Sequence, residues 1–235
     1  MKQVRDIVKN VDGWLTNSEG ELLYRLAKKC TGRGVIVEIG SWKGKSTIWL
    51  AKGSQSGKQV PVYAIDPHTG SKEHQRRGSK VWTFDEFRHN IESAQVKQFV
   101  KPLVMESVKA AKLVKEPVEL VFIDGAHDYA SVKADFKAWY PKLVSGGIIA
   151  FHDSITWKGV RQLMEESVFE SEHFRDIGLV ASITYAQKVS YASVNDRIRN
   201  QLAETYSRAL ALGLLVLLKL PRPLVNFLGE LVNKI

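Results

Sequence analysis

Two short stretches of this chain bring acids and histidines together. Asp124-Gly125-Ala126-His127 follows the apolar run Val118 to Ile123, and His152-Asp153 follows Gly146-Gly147-Ile148-Ile149-Ala150-Phe151. Imidazole titrates near neutrality, so His127 or His152 is suited to take a proton from a weakly acidic group. The carboxylates of Asp124 and Asp153 are hard oxygen donors of the kind that hold Mg²⁺. A lone histidine is more often a hydrogen-bonded structural residue. Two histidines, each beside a strand-end acid, weigh against that reading. Asp128, just before a helical stretch that opens at Tyr129, reads instead as an N-cap.

A third concentration of chemistry lies earlier, in Val35-Ile36-Val37-Glu38-Ile39-Gly40-Ser41-Trp42-Lys43-Gly44-Lys45-Ser46-Thr47. An apolar strand ends in an acid, two glycines four apart make a turn, and a helix opens with hydroxyls at Ser46 and Thr47. Gly40 has no Cβ to keep a ligand away from the backbone. Three nucleotide sites compete for this pattern. A dinucleotide fingerprint needs a glycine where Trp42 stands, and a P-loop needs one more residue between Gly40 and Gly44. The spacing E/D-x-G-x-x-x-G matches the first motif of class I S-adenosylmethionine-dependent methyltransferases. A second apolar run, Val62 to Ile65, ends in Asp66-Pro67, placing an acid where a ribose would offer two hydroxyls.

These residues need a scaffold that brings strand ends into one row. Strands alternating with helical stretches at roughly 17–30, 44–54, 81–97, 129–143 and 157–168 predict an α/β fold. The expected architecture is a Rossmann-like, doubly wound, mostly parallel sheet with helices on both faces. Ligands of such sheets bind at the carboxyl ends of the strands.

Asp124-Gly125-Ala126-His127-Asp128-Tyr129, with Val132, Asp135, Trp139, Pro141, Leu143, Gly146-Gly147 and His152-Asp153, resembles the methyltransferase domain 24 group of class I methyltransferases. Ala64-Ile65-Asp66-Pro67-His68 and Thr83-Phe84-Asp85-Glu86-Phe87, with Asn90-Ile91, fit the same group, and the likeness runs over roughly residues 35 to 190. It implies S-adenosyl-L-methionine as cofactor, contacted by Glu38, Gly40, Ser41, Gly44, Ser46, Asp66, Pro67, Glu106, Ser107 and Asp124. It places Met105-Glu106-Ser107 at the end of a strand that passes the adenine. Relatives include O-methyltransferases of antibiotic sugars and secondary metabolites, some of them metal-dependent. In those an acid matches Asp124 and an acidic pair matches positions 152 and 153. Histidine at 152 departs from that pattern, which softens an Asp124, His152, Asp153 site toward Mn²⁺ or removes the metal altogether.

Several function classes fall away on composition. The chain has 235 residues, 44% hydrophobic, enough for one α/β core with appendages. A single cysteine, Cys30, excludes a disulfide framework and fits a reducing cytoplasm. It lies in a helical run and reads as a plain buried thiol. Residues 1–10 lack the apolar segment of a signal peptide. The net charge of +9 is partly local, in Lys72, Arg76, Arg77 and Lys80, and forms no stripe of the nucleic-acid-binding kind. That loop follows Asp66 and is placed to close over a cofactor edge or meet an anionic substrate.

Residues 1–190 are expected to form the methyltransferase domain and 191–235 a helical, apolar extension. Val194, Ile198, Leu202 and Tyr206 share one helical face, and Leu224, Phe227, Leu228, Leu231, Val232 and Ile235 share another. Leu210 to Leu220 is apolar but far shorter than the about 20 residues that span a bilayer. The segment 210–235 is expected either to bury itself, in a homo-oligomer or within its own chain, or to lie on the inner membrane face. The expected activity is O-methylation of a hydroxyl on a sugar, glycan or secondary metabolite, with a histidine base (His127 or His152), Asp124 and a divalent metal as candidates for acceptor activation. The alternatives are N-methylation of a small amine and a non-catalytic cofactor-binding scaffold.

Overall fold

Three apolar runs become central parallel strands with both of their faces covered. β1 (Val35–Ile39), β2 (Val62–Ile65) and β4 (Val118–Ile123) are buried at every position. With β3 (Val100–Leu103) and β5 (Leu143–Phe151) they form the parallel part of a seven-stranded sheet. β6 (Phe174–Val180) and β7 (Ile183–Lys188) add an antiparallel hairpin, giving the order β3-β2-β1-β4-β5-β7-β6. The computed structural model describes residues 1–70 and 81–213. The basic loop with Lys72, Arg76, Arg77 and Lys80, and residues 214–235, lie outside the described residues.

Alternation along each strand sends side chains to two separate cores. Ile36, Ala64, Phe122 and Ala150 face α1 (Lys2–Val8), α2 (Asn17–Lys29), α3 (Lys45–Gln55) and α4 (Phe84–Ser93). Val37, Ile65, Val121 and Phe151 face α5 (Ser107–Leu113), α6 (Tyr129–Trp139), α7 (Lys158–Met164) and α8 (Val194–Ala211). The expected Rossmann-like, doubly wound architecture is thus the one observed.

The register decides where the chemistry sits. Ile39 pairs with Ile65 on one side and Ile123 on the other, and Ile123 pairs with Phe151. The four strands therefore end level. Gly40, Asp66, Asp124 and His152 follow those ends and form a row along one edge. The chain leaves β1 toward β2 and β3, then returns to β4, so the row straddles the switch point where such sheets bind ligands.

Some boundaries move from their sequence-based places. β3 ends at Leu103, so Met105-Glu106-Ser107 turns into α5 and does not end the strand. The helix expected over 129–143 stops at Trp139 and tightens into a 3-10 turn, Tyr140–Lys142, at Pro141. The stretch expected over 157–168 begins as α7 and finishes in a π turn, Glu165–Phe169.

α8 forms where the apolar spacing predicts a helix; of the expected apolar face Tyr206 packs against the core, while the rest of the docking comes from a neighbouring face. Asn200, Ala203 and Ser207 are its buried residues, and Asn200 Nδ2 donates to Phe174 O at 2.7 Å. Val194, Ile198 and Leu202 remain 63%, 52% and 49% exposed. Among the described residues, no helix is long and apolar enough to cross a membrane.

Candidate active site

The glycine turn is built around contacts that leave no room for side chains. Gly40 has φ +87°, and a Cβ there would stand 2.0 Å from the carbonyl oxygen of Asp124. Its N–H continues the ladder by donating to Ile65 O at 2.8 Å, while Asp124 N donates to Ile39 O at 2.8 Å. The turn and Asp124 are therefore backbone neighbours. Gly44 enters α3 at φ +89° and lies over Phe87 and Ile91.

Glu38 is fully buried beneath this turn. Thr47 Oγ1 donates to its Oε2, and Oε1 has no hydrogen-bond partner. Burial pushes its carboxyl up to about 8 against the Ser46 and Thr47 hydroxyls, with Asp124 and Asp66 repelling its charge. Ser46 is itself buried. Ser41 Oγ is a second buried polar atom without a partner. An orphaned carboxylate oxygen and an orphaned hydroxyl beside a turn that excludes side chains fit a small polar ligand at this place.

Asp66 spends both oxygens on the backbone: Oδ2 accepts from Trp42 N at 2.8 Å and Oδ1 from His68 N at 2.6 Å. It ties the glycine turn to the end of β2 and keeps lone pairs for a ligand hydroxyl. Pro67 is exposed, whereas His68 is buried, its Nδ1 2.9 Å from Thr83 Oγ1 among the rings of Phe84 and Phe87. Glu106 sits at the N-cap position of α5, exposed and paired with Lys109 at 2.9 Å. Ser107 Oγ accepts from Trp139 Nε1 at 2.8 Å.

The acids and histidines converge as the register requires. His152 Nδ1 lies 3.2 Å from Asp124 Oδ1 and 3.3 Å from Asp153 Oδ2, and His127 Nε2 lies 3.2 Å from Asp153 Oδ2. The His152 approaches are ion-pair contacts, since neither of its ring nitrogens has an aligned hydrogen-bond partner. Burial alone would lower the His152 imidazole, but Asp124, Asp153 and Glu19 prevail and push it up to about 12. Burial also raises Asp124 against the opposing pull of His152. Asp153 shows the reverse balance: burial is outweighed, and His127 and His152 hold it well below the usual carboxylate range. Asp128 Oδ1 caps α6 through Ser131 N at 3.1 Å, the structural role read from its position. Cys30 is a free buried thiol, pushed up to about 12 by burial with Glu119 adding.

Asp124, His152 and Asp153 each offer a ligand atom within 4.8 Å of the others. Neighbouring ligands around an ion bonded at about 2.1 Å stand about 3 Å apart in an octahedron, so the 3.2 and 3.3 Å spacings suit a small divalent cation. The donor set therefore fits the metal implied by the family resemblance, with one nitrogen replacing an oxygen.

Two neighbours of this cluster were not among the residues expected from sequence. Trp157 stacks on His127 with ring centroids 4.6 Å apart and planes at 16°. Glu19, from α2, places Oε1 3.6 Å from His152 Nε2. Its signal was legible only as Thr16-x-x-Glu19, a capping box, which forms as such.

Residues 37–154, half of the chain, match the family "Methyltransferase domain", methyltransferase domain 24. The uncharacterized protein y4gI of Sinorhizobium fredii (strain NBRC 101917 / NGR234) is 27% identical over 120 residues, which cover 51% of this chain and 13% of that protein. The chain thus matches only a small part of that relative's length. Among solved structures, the O-methyltransferase NovP is similar with TM-score 0.65 and 17% identity, over 80% of this chain and 88% of that one. The O-methyltransferase TomG from Streptomyces achromogenes, involved in tomaymycin synthesis and solved with S-adenosylmethionine, reaches TM-score 0.56 and 18% identity over 80% and 87%. At such identities these structures speak for the fold. The family match, the glycine turn and the acids along the switch point agree, and the chain belongs to the methyltransferase domain 24 family of class I S-adenosylmethionine-dependent methyltransferases.

Proposed function

We propose that this enzyme methylates a hydroxyl of a sugar, glycan or secondary metabolite, and that Asp124, His127, His152 and Asp153 activate the acceptor. The observation that carries this reading is the convergence of those four side chains beside the glycine turn. S-adenosylmethionine, when bound, would supply an electrophilic methyl on a sulfonium, which the acceptor oxygen would take in line as the carbon–sulfur bond breaks. Asp66 and the buried polar atoms of Glu38 and Ser41 would hold the ribose and amino-acid parts, with Ser107 and Glu106 toward the adenine.

An aliphatic hydroxyl does not ionise near neutrality, so its proton needs a destination. His127 is the better base, because its side chain is 20% exposed and Asp153 lies against Nε2. His152, 5% exposed and flanked by carboxylates, is a fixed cation or a ligand. A divalent ion held by Asp124, His152 and Asp153 would lower the acceptor's pKa. Its binding must displace the proton on His152 Nδ1, so metal affinity should rise with pH.

Calorimetric titration with S-adenosylhomocysteine, with and without Mn²⁺, tests the cofactor and metal parts. Methyl transfer to a panel of hydroxylated glycosides then tests the acceptor. Asp124→Asn should abolish transfer and leave S-adenosylhomocysteine affinity near wild type; wild-type turnover in that variant removes Asp124 from the site. A wild-type chain that binds no S-adenosylhomocysteine defeats the reading of Glu38 to Gly44.

A further inference from the structure

We infer that Glu19 is a positioning residue: it holds the Nε2 edge of His152 from behind, so that Nδ1 faces Asp124 and Asp153. Its consequence for catalysis rests on the role given above to His152, but the geometry stands apart from it.

Glu19 has two duties, one for each oxygen. Oε2 closes the capping box of α2, accepting from Thr16 N at 2.8 Å and Thr16 Oγ1 at 2.7 Å. Oε1 turns the other way. It accepts from Ser182 N at 2.9 Å and Ser182 Oγ at 2.6 Å, and lies 3.6 Å from His152 Nε2. One side chain therefore joins the start of α2, the turn between β6 and β7, and the residue that follows β5.

A cap alone does not account for this placement. Capping-box acids act at helix ends, where water can share their charge. Glu19 is 2% exposed, and burying a carboxylate is costly unless a charged group pairs with it. Thr16 and Ser182 offer neutral donors only. Among the described residues, the side chain able to carry a positive charge within ion-pair distance of Glu19 is His152. The turn that Glu19 joins is also tied to the residues after β5: Ser154 N and Oγ donate to Ser182 O at 3.1 and 2.9 Å, and Ser154 Oγ lies 2.7 Å from Thr184 Oγ1. A buried carboxylate at ion-pair distance from Nε2 favours the ring orientation that turns Nδ1 toward Asp124 and Asp153, as outer carboxylates do for metal-binding and catalytic imidazoles.

The test uses the full chain labelled with ¹⁵N-histidine, with and without S-adenosylhomocysteine. Wild type should give a slowly exchanging Hε2 signal from the buried His152, assigned by its disappearance in His152→Asn. That proton should show an NOE to the Glu19 Hγ protons, a measurement that needs no variant to fold. Glu19→Gln should lose the slow exchange, because its amide cannot satisfy Thr16, Ser182 and His152 together. Thr16→Ala removes the Oγ1 donor to Oε2, leaves the residue-16 N–H in place, and should keep the signal while lowering Tm. A missing wild-type signal or NOE, an unchanged signal in Glu19→Gln, or equal loss in Thr16→Ala would each overturn the assignment. Failure to bind S-adenosylhomocysteine would count against the functional reading alone, since the His152 signal is read with and without it.

Discussion

Replacing Glu38 by glutamine should make the ligand-free protein more stable at alkaline pH and scarcely change it in acid. Glu38 is fully buried, and its carboxyl rises from 4.5 to about 8, by burial first and by the nearby Asp124 and Asp66 charges last. The folded state thus prefers the neutral acid, while the unfolded chain ionises near 4.5. Below that value both states carry the proton and no stability is lost. Between about 4.5 and 8 folding must take up a proton, so stability falls by about 1.4 kcal/mol per pH unit. Above the upper value the loss levels off at about 5 kcal/mol. Glutamine has nearly the same shape, can accept from Thr47 and carries no charge, so that pH-dependent loss should vanish. Urea unfolding of both proteins at pH 5, 7 and 9, followed by tryptophan fluorescence, measures it. The stability difference between variant and wild type should grow steadily across the series. A difference that stays constant with pH would refute the claim that Glu38 is buried as an acid. The same variant should bind S-adenosylhomocysteine less tightly if Oε1 faces the ligand, so apo stability and ligand affinity should move in opposite directions.

Gly40→Ala should abolish S-adenosylhomocysteine binding or folding, because its Cβ would stand 2.0 Å from the Asp124 carbonyl at a backbone angle that disfavours side chains; near-normal calorimetry would contradict that packing. Asp66→Ala removes the acceptor for Trp42 N and His68 N as well as the ribose partner, so it should lower affinity by at least tenfold, about 1.4 kcal/mol, and unchanged affinity would exclude the ribose role. Asn200→Ala leaves Phe174 O without its donor under α8 and should cost about 1–3 kcal/mol in urea unfolding without altering S-adenosylhomocysteine affinity.

Much of the fold was legible because its signals are local. Buried parallel strands read as continuous apolar runs, and a glycine turn between strand and helix needs its residues in fixed positions along the chain. Asp66, Asp124 and Asp153 stood out because each follows such a run. The antiparallel β6–β7 hairpin was not resolved beforehand, since its half-exposed strands lack that continuous apolar character. Asp128 was read correctly as a cap from its place before Tyr129.

What depended on long-range packing stayed hidden. Ser46 is on the right turn, but only the fold shows that it is buried. Val194, Ile198 and Leu202 have helical spacing, yet periodicity says which residues share a face and not what that face meets; here Asn200 does the docking. Glu19 is the clearest case. Its capping signature spans four residues, whereas its contacts to His152 and Ser182 join segments more than a hundred residues apart. Sequence determined the types of chemistry and the strand ends that carry them, because backbone preference and apolar burial act on neighbours. Tertiary structure alone decided which carboxylate meets which imidazole, because a distance of 3 Å between distant segments is set by register and packing.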